Sequence, residues 1–150
     1  MLDKERIQEK LKTILRERSL LTDFVDISFE EFTDDENIHE YYGSLHHLQI
    51  ALQAVLDVSQ HITSQLLLGQ YKKNKEVFPL LAKKKIISKE ISDKMEKAIG
   101  ARNIFVHQYE DVDPKEIYNI IQHNLSDFDE FVSQIDQFLQ NGKTTKDSEI

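Results

Sequence analysis

The chain has no cysteine, only two prolines and four glycines among its 150 residues, and a deficit of positive charge. Without cysteine there is no disulfide framework, no thiolate zinc site and no cysteine nucleophile, so any chemistry falls to histidine, arginine, tyrosine, serine or carboxylates. So few glycines and prolines starve the chain of the turn residues that many short strands require, which favours long helices. No run approaches the roughly 18 apolar residues of a membrane span. The opening Met1-Leu2-Asp3-Lys4-Glu5-Arg6 is charged and helix-like rather than a secretory leader. A cytoplasmic protein with no membrane association is therefore expected.

With 19 basic against 27 acidic residues the formal charge is -8, which weighs against a nucleic-acid partner because such affinity comes largely from neutralising phosphates. Local charge counts for more than the total. Lys72, Lys73, Lys75, Lys83 to Lys85 and Lys89 fall in one stretch that has the makings of a basic strip. A solvated lysine-rich face is the plainer reading of the same residues.

A chain of this length fits one domain, burying roughly 70% of its unfolded surface around a single core. The apolar pattern points to an all-α domain of four to five helices over residues 1–140, followed by a polar, disordered tail at 141–150. Ile7, Leu11, Ile14 and Leu15 mark a first helix from Lys4 to Leu21. An acidic connection follows at Asp26 to Asn37, with Phe29 and Phe32 tucking back onto the bundle. The strongest pattern is Leu45, Leu48, Leu52, Val55, Ser59, Ile62 and Leu66, in steps of three and four. That helix is expected to start after Asp34 or Asp35 and to stop at Gly69. Its stripe reads first as core, with a dimer interface as the alternative. A short helix is expected over Glu76 to Lys84, and another from Ser88, whose apolar face runs Ile91, Met95, Ala98, Ile99 and on to Arg102 and Phe105. Asp113-Pro114-Lys115-Glu116 reads as a capping box opening one last helix to about Gln140.

Cutting RNA without a metal needs a base to take the proton of a 2′-hydroxyl and a cation to hold the charge growing on the phosphate. His107 and Arg102 are groups of that kind, since histidine titrates near neutrality and arginine offers a planar fork of donors. Five positions apart, they lie roughly 140° from one another on a regular helix. Asn103, four before His107, does share its face. The residue ahead of Pro114 avoids helical geometry, so the helix must end close to His107, and an extended exit points His107 and Tyr109 to one surface.

The segment Arg102-Asn-Ile-Phe-Val-His107-Gln-Tyr109 resembles the signature of the HepT family within the HEPN superfamily. Gly100 before it, the Asp-Pro helix start after it and the run from Leu48 to His61 extend the likeness over about residues 40 to 140, while Leu2 to Glu36 matches only as a leading helix. The resemblance implies an antiparallel up-and-down, HEPN-like helical bundle that forms a homodimer, in which the Arg-x4-His segments of two protomers meet in one cleft and cleave RNA, transfer RNA being the suggested substrate class, with no metal and no cofactor. It further implies a toxin paired with a small nucleotidyltransferase antitoxin of the MntA type, which silences it by attaching AMP to the motif tyrosine, here Tyr109. Asn103, Asp57 and His61 are the candidate supporting residues, the last two spaced four apart on one helix face. Where relatives carry a basic residue near the start of the second long helix, this chain has His46 and His47.

Other catalytic templates are missing: there is no His-Glu-x-x-His, no Gly-x-Ser-x-Gly and no glycine-rich phosphate loop. His39, His46, His47 and His123 lack ligand spacing and read as surface residues. The rival to a nuclease is a non-catalytic helical dimer that binds, or presents a tyrosine to, a nucleotidyltransferase. The acidic total charge suits that rival.

Overall fold

The computed structural model describes residues 2–107 and 112–149, with side chains at 2–103 and 112–141. Four long helices carry the fold: α1 (Lys4–Leu21), α3 (Ile38–Gln65), α5 (Lys89–His107) and α7 (Leu125–Glu149). Three short ones, α2 (Phe29–Phe32), α4 (Val77–Lys83) and α6 (Pro114–His123), lie between them. The described residues contain no strand, so the all-helical expectation holds, with seven helices in place of four or five.

The first helix begins where Asp3 accepts a hydrogen bond from the Arg6 amide, and its Ile7, Leu11 and Ile14 are buried as their spacing requires. Cross-links between α1 and α3 run in opposite chain directions: Asp3 meets His61, Lys10 meets Asp57 and Glu17 meets His47, which makes the pair antiparallel. Ser88 with Gln134 and Lys94 with Asp127 show the same for α5 and α7. Along α3, Leu45, Leu48, Leu52, Val55, Ser59 and Ile62 are all buried inside this one chain. The stripe is therefore core, and only Leu66 at its end is open to a partner.

Helix ends account for the differences from the sequence reading. The start of α3 is delayed to Ile38 because Asp34 caps a separate 3-10 turn at Asp35–Asn37. It ends before Gly69, since Leu67 takes the left-handed conformation (φ 53°) and the Leu68 amide reaches back to the Thr63 carbonyl. The last helix is two helices, broken at Asn124, whose side-chain amide donates to Asp127 while its own carbonyl accepts the Asp127 amide. Pro114 does open α6, but Asp113 accepts from Lys115, and Glu116 faces a cavity rather than completing a capping box. Beyond Gln140, α7 continues in helical geometry to Glu149, past the position assigned to a polar tail, and Leu139 is the last buried side chain among the described residues. Phe32 is buried, and Phe29 packs edge-on against Tyr118, so the acidic connection is pinned as expected. Among the described residues no helix is long and apolar enough to cross a membrane.

Candidate functional site

Three helices build the site. On α3, Gln53 and Asp57 are one turn apart on the same face, with Gln60 and His61 one turn further. From α1, Lys10 Nζ reaches Asp57 Oδ2 at 3.2 Å. Gln53 Nε2 donates to the other carboxylate oxygen of Asp57 at 2.8 Å. An amide whose nitrogen is held by a carboxylate must turn its oxygen the other way, and Gln53 Oε1 accepts a hydrogen bond from Arg102 Nη2. Arg102 Nη1 donates to Asn103 Oδ1 at 3.3 Å. The result is a polar chain, Lys10 to Asp57 to Gln53 to Arg102 to Asn103, that crosses the bundle from α1 to the last turns of α5.

The chemistry of that chain is specific in one respect. The acceptors that the Arg102 guanidinium meets are two neutral amides, and no carboxylate forms an ion pair with it among the described residues. The Asp57 charge is matched instead by Lys10. Arg102 is half-buried, and its Nε is buried without a hydrogen-bond partner. A guanidinium that is oriented but not neutralised keeps its positive charge available to an anion.

Of the residues the sequence singled out, Arg102, Asn103 and Asp57 fall on this chain. His61 does not: its Nε2 accepts the Asp3 amide at 3.1 Å, so it helps seat the start of α1 rather than supporting Asp57. His107 is the last residue of α5, and its side chain lies outside the described residues, as does Tyr109 entirely. Gln53 and Lys10 were missed. The spacing of four between Gln53 and Asp57 was a usable signal for the first, whereas nothing local marks Lys10.

Another unforeseen pair is Glu17 with His47. Glu17 is 3% exposed, its Oε2 is 2.6 Å from His47 Nδ1 and its Oε1 accepts from Arg16 at 3.1 Å. His47 is thus a structural partner of a buried carboxylate, not surface decoration. A cavity of about 540 Å³ between α5, α6 and α7 is lined by Ala98, Ala101, Ile120 and Phe128. No member of the Lys10-to-Arg102 chain lines it.

The chain is similar to known proteins over most of its length. The family model described as "Ribonuclease HepT-like" matches residues 14–135. A tRNA nuclease HepT from Aphanizomenon flos-aquae is 30% identical over 89% of each chain. An mRNA nuclease HepT from Shewanella oneidensis is 35% identical over 59% of this chain, a match that spans 66% of the Shewanella protein, just under two thirds of its length. Among solved structures, the tri-AMPylated Shewanella oneidensis HEPN toxin in complex with an MNT antitoxin superimposes with a TM-score of 0.77 at 29% identity, covering 91% of this chain and 99% of that one. Fold and matches together define the class, an all-helical ribonuclease of the HEPN superfamily. Within that class, the chain belongs to the ribonuclease HepT-like family.

Proposed function

We propose that this chain is the RNA-cleaving toxin of a two-protein toxin–antitoxin pair, with Arg102 and His107 as the catalytic groups and Tyr109 as the position at which a nucleotidyltransferase antitoxin adds AMP. The observation that carries the reading is the state of Arg102: anchored by Gln53 and Asn103, matched by no carboxylate among the described residues, and located five residues before a histidine at the end of α5. The relatives named as mRNA and tRNA nucleases, and the AMP-bearing toxin bound to its antitoxin, support it.

In the proposed reaction His107 takes the proton of an RNA 2′-hydroxyl, and the 2′ oxygen forms a bond to the adjacent phosphorus as the bond to the 5′ oxygen breaks. The departing 5′ oxygen takes a proton from water. Arg102 holds the charge that accumulates on the non-bridging phosphate oxygens, a donor role commonly worth about 10²- to 10³-fold in rate. Two such segments, one from each protomer of a homodimer, would border one cleft. Transfer RNA is the proposed substrate class, and no metal takes part.

Incubation of purified protein with transfer RNA in chelator should yield 2′,3′-cyclic phosphate and 5′-hydroxyl ends, and His107→Ala should abolish the products while leaving the helical spectrum intact. Wild-type protein inert towards every RNA, yet still bound by the nucleotidyltransferase, would leave the non-catalytic dimer as the correct reading.

A further inference from the structure

The positive charge of this molecule is concentrated in one short segment. Residues 72–89 hold seven lysines, Lys72, Lys73, Lys75, Lys83, Lys84, Lys85 and Lys89, and a single acid, Glu76, for a net +6; the other residues therefore carry -14 of the total -8. Of the lysines elsewhere, Lys10 pairs with Asp57, Lys12 with Glu9, and Lys94 with Glu90 and Asp127, while Lys4, Lys97 and Lys115 stand singly along the chain rather than in a cluster. The hydrogen bonds to Asp127 and then Glu90 raise the pKa of the Lys94 ammonium. None of the seven makes an ion pair among the described residues, and six are exposed, Lys75 being half-buried. The one acid in their midst is occupied, because Glu76 Oε2 accepts the backbone amide of Lys72 at 3.1 Å.

These lysines do not hang from a loose loop. Val77, Phe78 and Leu81 of α4 are fully buried, as are Ile86 and Ile87 after it, so the segment is anchored from beneath while its lysines face water. Their position relative to Arg102 follows from α3. Gln60 donates to Asn74, between Lys73 and Lys75, at 3.3 Å, and Gln60 lies seven residues, about 10 Å, along α3 from Gln53, the anchor of Arg102. The second group, Lys83 to Lys85, sits at the far end of α4, about another 10 Å away.

We propose that the 72–89 surface is the track that holds the phosphodiester backbone of RNA and leads it to Arg102, a reading that rests on the nuclease function proposed above. Lysine is a mobile point charge that meets phosphate without demanding a fixed geometry, which suits a track indifferent to sequence. Protein–protein contacts are built otherwise, from aromatic and arginine anchors with lysine depleted, and residues 72–89 contain neither arginine nor an aromatic side chain beyond the buried Phe78.

The test uses full-length protein and a fluorescent 2′-O-methyl RNA, which lacks the attacking hydroxyl and reports binding alone. Lys72, Lys73 and Lys75 changed together to Gln, and separately Lys83, Lys84 and Lys85 changed to Gln, should each lower affinity about tenfold or more near 0.1 M salt. Each triple should also flatten the plot of log affinity against log salt by roughly 2, at about 0.7 per lost contact. A double Lys4→Gln, Lys12→Gln control should do neither. With cleavable RNA, the triple variants should raise KM for long chains and leave turnover of a dinucleotide unchanged. Unaltered RNA affinity and salt slope in both triples would overturn the proposal, as would loss of binding to the nucleotidyltransferase with RNA binding intact, which would make the surface a protein-docking face. Lysine-dependent binding in a protein that cleaves no RNA would uphold the track and reject the nuclease reading, so the two fail separately.

Discussion

Arg102 is held by two amides where most half-buried arginines meet a carboxylate, and its charge state is the residue-scale fact from which function can be tested. Changing Gln53 to Glu supplies the missing carboxylate and ties the guanidinium into an ion pair, and Asp57→Asn made with it restores a donor to the second oxygen, which would otherwise face the Asp57 carboxylate. Single-turnover cleavage should then fall about tenfold or more, with a far-UV spectrum like that of wild type, because the charge offered to phosphate is already spent. Arg102→Lys keeps the charge and loses the fork, and should still lose most activity. If Gln53→Glu with Asp57→Asn cleaves as fast as wild type, Arg102 is not the group that stabilises the phosphate. Stability at this scale is tested elsewhere, at Glu17. His47→Ala leaves that buried carboxylate with Arg16 alone, whose own side chain is 71% exposed, and urea denaturation should show a loss of about 2–3 kcal/mol.

Helix ends, more than helix interiors, separate what the sequence revealed from what it concealed. The span of α1 was legible because the apolar row at 7, 11 and 14 keeps one helical spacing, and all three are buried. The break at Asn124 was not, because Ile121, Leu125 and Phe128 continue a helical spacing straight through it and are all buried on both sides. Gly69 drew attention as the stop for α3, yet Leu67 is the residue that turns left-handed, at 88% exposure. A leucine in that conformation costs about 1–2 kcal/mol, and this one repays nothing in burial. Leu67→Gly should accordingly raise stability by about 1 kcal/mol, visible as a higher thermal midpoint; a lower midpoint would mean that the leucine side chain makes contacts its exposure denies. For the candidate site, the signature singled out Arg102, Asn103 and His107, since residue types at fixed spacing are a local property; Arg102 and Asn103 are in contact with each other, and the His107 side chain lies outside the described residues. Gln53 lies 49 positions from Arg102, and a pairing of side chains across two packed helices leaves no trace in the periodicity of either.

At the scale of the whole molecule, the lysine segment carries +6 and the remaining residues -14, which sets the proposed RNA approach apart from an acidic remainder. A homodimer would place two such approaches about one cleft, and light scattering should then give about 35 kDa, twice 17.6 kDa, with activity declining on dilution through the dissociation constant. The proposed modification would act on the same field. Each AMP attached to the Tyr109 hydroxyl would add a negatively charged phosphodiester and an adenosine seven residues along the chain from Arg102, to compete with substrate for the guanidinium and repel the RNA backbone. Co-expression with the cognate nucleotidyltransferase should therefore add one or more AMP units to the intact mass and suppress cleavage, whereas Tyr109→Phe should stay unmodified and remain active in the presence of that enzyme. The relative from Shewanella oneidensis carries three such units, so a ladder of masses is the expected spectrum. An unchanged mass with cleavage nonetheless silenced would show that the antitoxin works by covering the cleft rather than by altering its charge.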